Sequence, residues 1–179
     1  MSSAKFIGGA FVNDLRSKNE QPHGILNDLG WEIYPKGLYN IITRITKEWN
    51  NVPIFVTENG IVDKSDKFCA QFIISHLQQI RLPLDKGSKV IGYLNWSFMD
   101  NYEWLDNYRP GSKFGLFCID RTQPNLPRII TKSAEAYKFI IQESFHENID
   151  GIVTDLALLK AENRFRTFSP DGFNLYGQP

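Results

Sequence analysis

No stretch of this sequence approaches the run of about 18 apolar residues that a helix needs to cross a bilayer, so no membrane-spanning segment is expected. Charge of one sign is missing as well. Twenty Lys and Arg balance 20 Asp and Glu, which leaves no electrostatic footprint for nucleic acid or an anionic membrane. Cysteine is scarce: Cys69 and Cys118 lie far apart, in no metal or redox spacing, and read as buried free thiols rather than ligands. No internal repeat or low-complexity tract is present, and Met1–Lys5 lacks the charged-then-apolar build of a signal peptide, which leans towards a cytoplasmic location. What remains is ordinary for a globular chain: 179 residues, 42% hydrophobic and 22% charged, enough for one domain with a sizeable core. Aromatics, at 13%, are on the rich side.

The most telling stretch is Val52-Pro53-Ile54-Phe55-Val56-Thr57-Glu58-Asn59-Gly60. Its first residues, Val52–Val56, read as a buried parallel strand, which is a near-continuous apolar run. The strand meets a carboxylate and then an Asn-Gly turn, at the end where α/β folds build their sites. An acid there, against an apolar floor, is poised for chemistry; the plainer alternative is a Glu that merely ends a strand. The pattern returns in Lys89–Asn95, a second strand that runs into Trp96-Ser97-Phe98-Met99-Asp100-Asn101-Tyr102-Glu103-Trp104. Strand, helix and strand with polar and aromatic side chains at both strand ends suggest two neighbouring spokes of a barrel.

The intervening pattern fits helices. Leu38, Ile41, Ile42, Ile45 and Trp49 fall at helical spacing over Pro35–Trp49, with Pro35 at the first helical position, where a missing N–H costs nothing. Asp66–Arg81 puts Cys69, Phe72, Ile73, His76, Leu77 and Ile80 on one face, and Pro83 with Gly87 is expected to close that helix. On that inner face His76 reads as a hydrogen-bonded core histidine. Phe114–Asp120 suggests a short extended piece, and Thr131–Phe145 a last helix with Ala134, Tyr137, Ile141 and Phe145 inward. Asp100 and Asn101 read as residues that tie their loop together. Residues 1–27 are polar and without periodicity, as in a long loop. In the tail, Ile152–Lys160 fits a short helix and Ser169-Pro170-Asp171-Gly172 a turn.

Thr57-Glu58-Asn59-Gly60 and Trp96-Ser97-x-x-Asp100-Asn101-x-Glu103-Trp104 resemble motifs of glycoside hydrolase family 1, the retaining β-glucosidases and β-galactosidases. Gly30-Trp31-Glu32-Ile33-Tyr34-Pro35 upstream and Phe114-Gly115-Leu116 downstream stand in the same order as in that family. The resemblance implies an α/β fold, the C-terminal part of a (β/α)8 TIM barrel with strands seven and eight and their helices, incomplete as a barrel. It divides the chain into residues 1–148, belonging to the barrel, and a partly irregular tail, 149–179. It implies that Glu58 is the nucleophile, attacking the anomeric carbon while a second carboxyl about 5–5.5 Å away donates and later removes a proton. It makes Trp96 the floor under the sugar ring, Glu103 and Trp104 the partners of the sugar hydroxyls, and Phe114 a neighbour of O6. A buried carboxylate–hydroxyl bond is worth roughly 1.5–3 kcal/mol. An acid at Glu103 would repel a phosphate, so an unphosphorylated β-glucoside or β-galactoside is the expected substrate, despite Ser112-Lys113 nearby. No metal or organic cofactor is implied, because two carboxylates suffice for the reaction.

A complete barrel of this kind takes about 250 residues. The sequence contains no Asn-Glu-Pro, the family's acid/base motif, and no Asn-Tyr-Tyr; Asn19-Glu20-Gln21-Pro22 is the nearest string and no strand precedes it. The expectation is therefore a C-terminal portion whose proton donor lies on an N-terminal barrel half, and which alone is inactive. The alternatives are a non-catalytic carbohydrate-binding remnant and a truncated product without a stable fold.

Overall fold

A computed structural model describes residues 25–104, 106–109 and 111–144. The expectations for residues 1–24 and for the tail 149–179 lie outside the described residues. The order of elements is α1 (Pro35–Glu48), β1 (Ile54–Gly60), α2 (Cys69–Asp85), β2 (Val90–Trp96), β3 (Phe117–Ile119), β4 (Arg128–Ile130) and α3 (Lys132–Ser144). Strands β1 and β2 pair in parallel, and β3 and β4 form a separate antiparallel pair. The described residues thus contain two parallel spokes and no closed ring of strands.

Helix α1 opens on Pro35, as its fixed φ favours, and ends where Asn50 and Asn51 turn into the left-handed region at φ 51° and 54°. Asn tolerates that conformation better than most residues. Asn51 then joins the starts of both strands: its Nδ2 donates to Gly87 O at 2.9 Å, and Lys89 N–H donates to its Oδ1 at 3.2 Å. A backbone bond from Ile54 N–H to Lys89 O, 2.8 Å, joins the same end of the sheet.

Helix α2 departs from expectation at both ends. It starts at Cys69, because the Asp63 carboxylate accepts the Phe68 and Cys69 amides, and anions at a helix N-terminus satisfy donors with no intrahelical partner. It continues through Pro83 to Asp85. A proline breaks a helix by removing one donor and crowding the carbonyl four residues back, yet here it sits in the last turn, and Gly87, at φ 89°, makes the actual exit. Asp66 does for α3 what Asp63 does for α2, accepting from Lys132 N–H at 2.6 Å and from the Ser133 hydroxyl. One loop, residues 61–68, therefore caps two helices.

The core lies on one side of the sheet. Ile33, Ile61, Cys69, Phe72, Ile73, Leu116 and Ala134 cluster there, and Ile73 and Val62 have no exposed surface. The other side is bare. Phe55 is 48% exposed and Leu94 49%, so the expectation of a buried strand is corrected: β1 alternates between half-buried and exposed residues. An apolar run marks a strand that has neighbours on both faces in its complete fold, and among the described residues one face lacks them.

A candidate sugar site at the strand ends

Glu58 lies inside β1, which runs on to Gly60 instead of ending at Val56. The register explains the extension. Val56 pairs with Tyr93 and Asn59 with Asn95, so three steps on β1 face two on β2, and the extra residue falls at Thr57–Glu58. A bulge of this sort bends the strand and re-aims a side chain. Asn59 and Asn95 share one face by their pairing. Alternation places Glu58 and Trp96 on the opposite face, where Phe55 and Leu94 are exposed. Glu58 is itself exposed, not set against an apolar floor as expected, and Trp96 is 37% exposed. Their strand ends are adjacent through the Gly60–Trp96 pair.

Gly60 makes that closeness possible. It pairs with Trp96, and a Cβ at position 60 would lie 1.7 Å from the Trp96 carbonyl oxygen. No other residue allows two backbones to approach so closely. The Trp96–Ser97 peptide is cis. Ser97 N–H donates to Phe114 O at 3.0 Å, and Leu116 N–H donates back to Ser97 O at 2.9 Å, so the segment after β2 is laced to the segment before β3.

Asp100 ties the loop, as read from the sequence. It is 5% exposed, and its two carboxylate oxygens accept Gly115 N–H at 3.0 Å and Ile119 N–H at 3.2 Å. A Cβ on Gly115 would come within 2.3 Å of Asp100 N, so that glycine too is set by packing. Glu103 starts a tight turn: its N–H donates to Asn107 O at 2.8 Å, and Asn107 N–H donates to Glu103 O at 2.6 Å. The turn leaves Glu103 half-buried and lifts Trp104 to 87% exposure. Phe114 is 7% exposed, its ring 6.2 Å from that of Trp31. Ser112, read as a partial phosphate signal, has its hydroxyl committed to Asp106 Oδ2 at 2.9 Å. A donor so engaged is not available to a phosphate.

Tyr93 was not singled out from sequence. Its hydroxyl donates to Asn59 Oδ1 at 2.9 Å and stands 3.5 Å from Asn95 Oδ1. A tyrosine on an otherwise aliphatic strand, two residues before Asn95, was the available signal. Burial, with Tyr137 and Cys69 nearby, raises its pKa well above the ordinary phenol range, so it remains a donor.

The other titratable groups are structural. Burial keeps the His76 imidazole neutral, with its pKa lowered to about 4; Nδ1–H bonds to Phe72 O at 2.7 Å, and the ring sits 3.8 Å from that of Phe72. Cys69 is buried and its pKa is pushed up to about 12, chiefly by desolvation, so it is no nucleophile. Cys118, also a free thiol, is half-buried in β3 instead of fully buried. Among the described residues no group of three or more His, Cys, Asp or Glu side chains is arranged to hold a metal ion, and no helix is long and apolar enough to cross a membrane.

Residues 10–145 match the model of glycosyl hydrolase family 1. The chain belongs to that family. It is 41% identical over 96 residues to a β-galactosidase of Saccharolobus solfataricus, covering 52% of this chain and 19% of that protein. A β-galactosidase of Pyrococcus woesei is 36% identical over 126 residues, covering 70% of this chain and 23% of its own length. The crystal structure of a hyperthermophilic β-glucosidase from Pyrococcus furiosus superposes with a TM-score of 0.63 at 32% identity, over 69% of this chain and 25% of its own. The chain therefore spans about a quarter, or less, of the relatives it matches. The relatives named above are glycosidases, and the family's solved structures are TIM barrels, an architecture that two parallel spokes fit.

Proposed function

We propose that this chain supplies the nucleophile and much of the sugar platform of a retaining β-glycosidase acting on β-glucosides or β-galactosides. In this reading β1 and β2 are the seventh and eighth spokes of the barrel. Glu58 attacks the anomeric carbon as the glycosidic bond breaks, and the aglycone leaves with a proton from a second carboxyl. Water, deprotonated by that same group, then cleaves the glycosyl ester and releases the sugar with net retention. Trp96 lies under the ring, Glu103 accepts hydroxyl protons, and the Trp104 indole N–H donates in return. Phe114, packed on Trp31, backs the O6 side of the pocket. The observation that supports the reading is the register break at Thr57–Glu58, two residues before the Gly60–Trp96 pair, at the carboxyl ends of two parallel strands, where barrel enzymes place their chemistry.

The proton donor is to come from elsewhere. The sequence holds no Asn-Glu-Pro, so an N-terminal barrel half is the proposed partner, and the chain alone is inactive. Two assays test this. Incubated by itself with a nitrophenyl β-glucoside, the chain releases no nitrophenol; turnover that depends on Glu58 would refute the assignment of the acid to a partner. Mixed with a family segment carrying Asn-Glu-Pro, it turns over substrate, and Glu58→Gln abolishes that turnover. Activity that survives Glu58→Gln would remove the nucleophile role. Sugar binding without hydrolysis in that mixture would instead favour a carbohydrate-binding remnant, a reading that the high exposure of Trp104 also suits.

A further inference from the structure

Tyr93 reaches both residues adjacent to the two proposed site side chains. Asn59 follows Glu58 in β1, and Asn95 precedes Trp96 in β2. The Tyr93 hydroxyl has one proton, given to Asn59 Oδ1 at 2.9 Å; it lies 3.4 Å from Asn59 O and 3.5 Å from Asn95 Oδ1. Among the described residues the buried Asn95 Nδ2 has no hydrogen-bond partner, so this hydroxyl is the polar group beside the Asn95 amide. The contact falls at the foot of the bulge, where ladder pairing resumes after Thr57 and Glu58. A bulged residue has no ladder bond of its own to hold it, so its aim depends on how firmly the flanking residues are fixed.

We infer that Tyr93 is a positioning residue: acting through Asn59, it fixes the angle at which Glu58 meets the sugar above Trp96. The inference rests on the nucleophile reading of Glu58. Tyr137 provides the internal comparison. It clasps the same strand from α3, its hydroxyl donating to Tyr93 O at 3.3 Å and its ring 6.3 Å from that of Tyr93, yet this bond is to β2 backbone and reaches neither Asn59 nor Asn95 side chains. Loss of the Tyr137 hydroxyl loosens the packing; loss of the Tyr93 hydroxyl in addition frees the bulge.

The test uses the full chain with the Asn-Glu-Pro segment and a 2-deoxy-2-fluoro-β-glucoside bearing dinitrophenolate, a leaving group that departs without a proton donor. The rate of ester formation on Glu58 and the concentration for half-saturation are read separately. Tyr93→Phe is expected to slow ester formation about ten-fold with half-saturation unchanged, since a small misplacement of a reacting group acts on rate more than on binding. Asn59→Leu does the same, the pair together costs no more than either alone, and Tyr137→Phe stays within about two-fold. Equal losses in Tyr93→Phe and Tyr137→Phe, or losses that multiply across positions 93 and 59, overturn the inference. If the unaltered chain forms no ester, the nucleophile reading falls separately, and hydrogen exchange of the chain alone decides the positioning role. Amides of residues 57–60 that exchange about ten-fold faster in Tyr93→Phe than in Tyr137→Phe sustain it, and equal rates end it.

Discussion

The two faces of the β1–β2 pair could hardly differ more. On one, Ile61, Phe72, Ile73, Leu116 and Ala134 close over the strands with almost no exposed surface. On the other, Phe55, Leu94 and Trp96 stand partly open beside Glu58. The closed face is satisfied by residues near in sequence, through a helix that follows each strand. The open face carries the proposed chemistry and is made of side chains whose partners the described residues do not supply. Stability and function are thus written on opposite sides of one two-stranded sheet, and substitutions on each side should behave accordingly.

The largest expected effect is on the closed face. Ile73→Ala removes a fully buried side chain and should cost about 2–5 kcal/mol, read as a shift in urea midpoint at unchanged slope. Leu94→Ala, on the open face at a residue 49% exposed, should cost no more than about 1 kcal/mol. Comparable losses would mean that the open face is covered in solution.

His76 sharpens the same contrast through pH. Its folded pKa, lowered to about 4 by burial, lies below the ordinary 6.5, so the unfolded chain takes up a proton first as pH falls. Stability from this group is complete above pH 6.5 and drains away between 6.5 and 4, on the order of 3 kcal/mol in all. Denaturant titrations across that window should show the slope, and His76→Leu should remove that part of it. The exposed face has no such buried histidine to titrate. A pH slope identical in the variant would place the titrating group elsewhere.

Next in size is the loop that caps two helices. Asp63→Ala strands the Phe68 and Cys69 amides and should cost about 1–2 kcal/mol. Asp66→Ala should cost a similar amount through α3, and far-UV circular dichroism against temperature would separate fraying of one helix from loss of the whole. If neither shift is seen, water satisfies those amides as well as the carboxylates do.

What was legible in the sequence follows the same division. The α2 face of Phe72, Ile73, His76 and Ile80 could be read because helical periodicity reports a helix's own packing. The family motifs around Glu58 and Trp96 marked the candidate site. The end of β1 could not be read: a bulge adds one residue to one strand only and leaves no periodic trace, so the strand seemed to stop at Val56 and Asn59-Gly60 looked like a turn. Strand β4, three residues after Pro127, is too short to show alternation, and it exists because Phe117–Ile119 lies ready to pair with it. The exposure of Phe55 and Leu94 was hidden for a different reason. An apolar strand reads the same whether its neighbours are present or not.

The smallest stability effect belongs to the residue where the two faces can be told apart most cleanly. Trp104 is 87% exposed at the tip of the turn closed by Glu103 and Asn107, so Trp104→Ala should change folding stability by less than about 0.5 kcal/mol. In the proposed function the same indole donates to a sugar hydroxyl, so the substitution should weaken sugar binding by the assembled enzyme by roughly 1–3 kcal/mol. Isothermal titration with a non-hydrolysed glucoside measures the second quantity, and urea denaturation the first. A Trp104 variant that loses stability and keeps its affinity would make this side chain a packing residue, and the open face would then owe its aromatics to a missing core and not to a sugar.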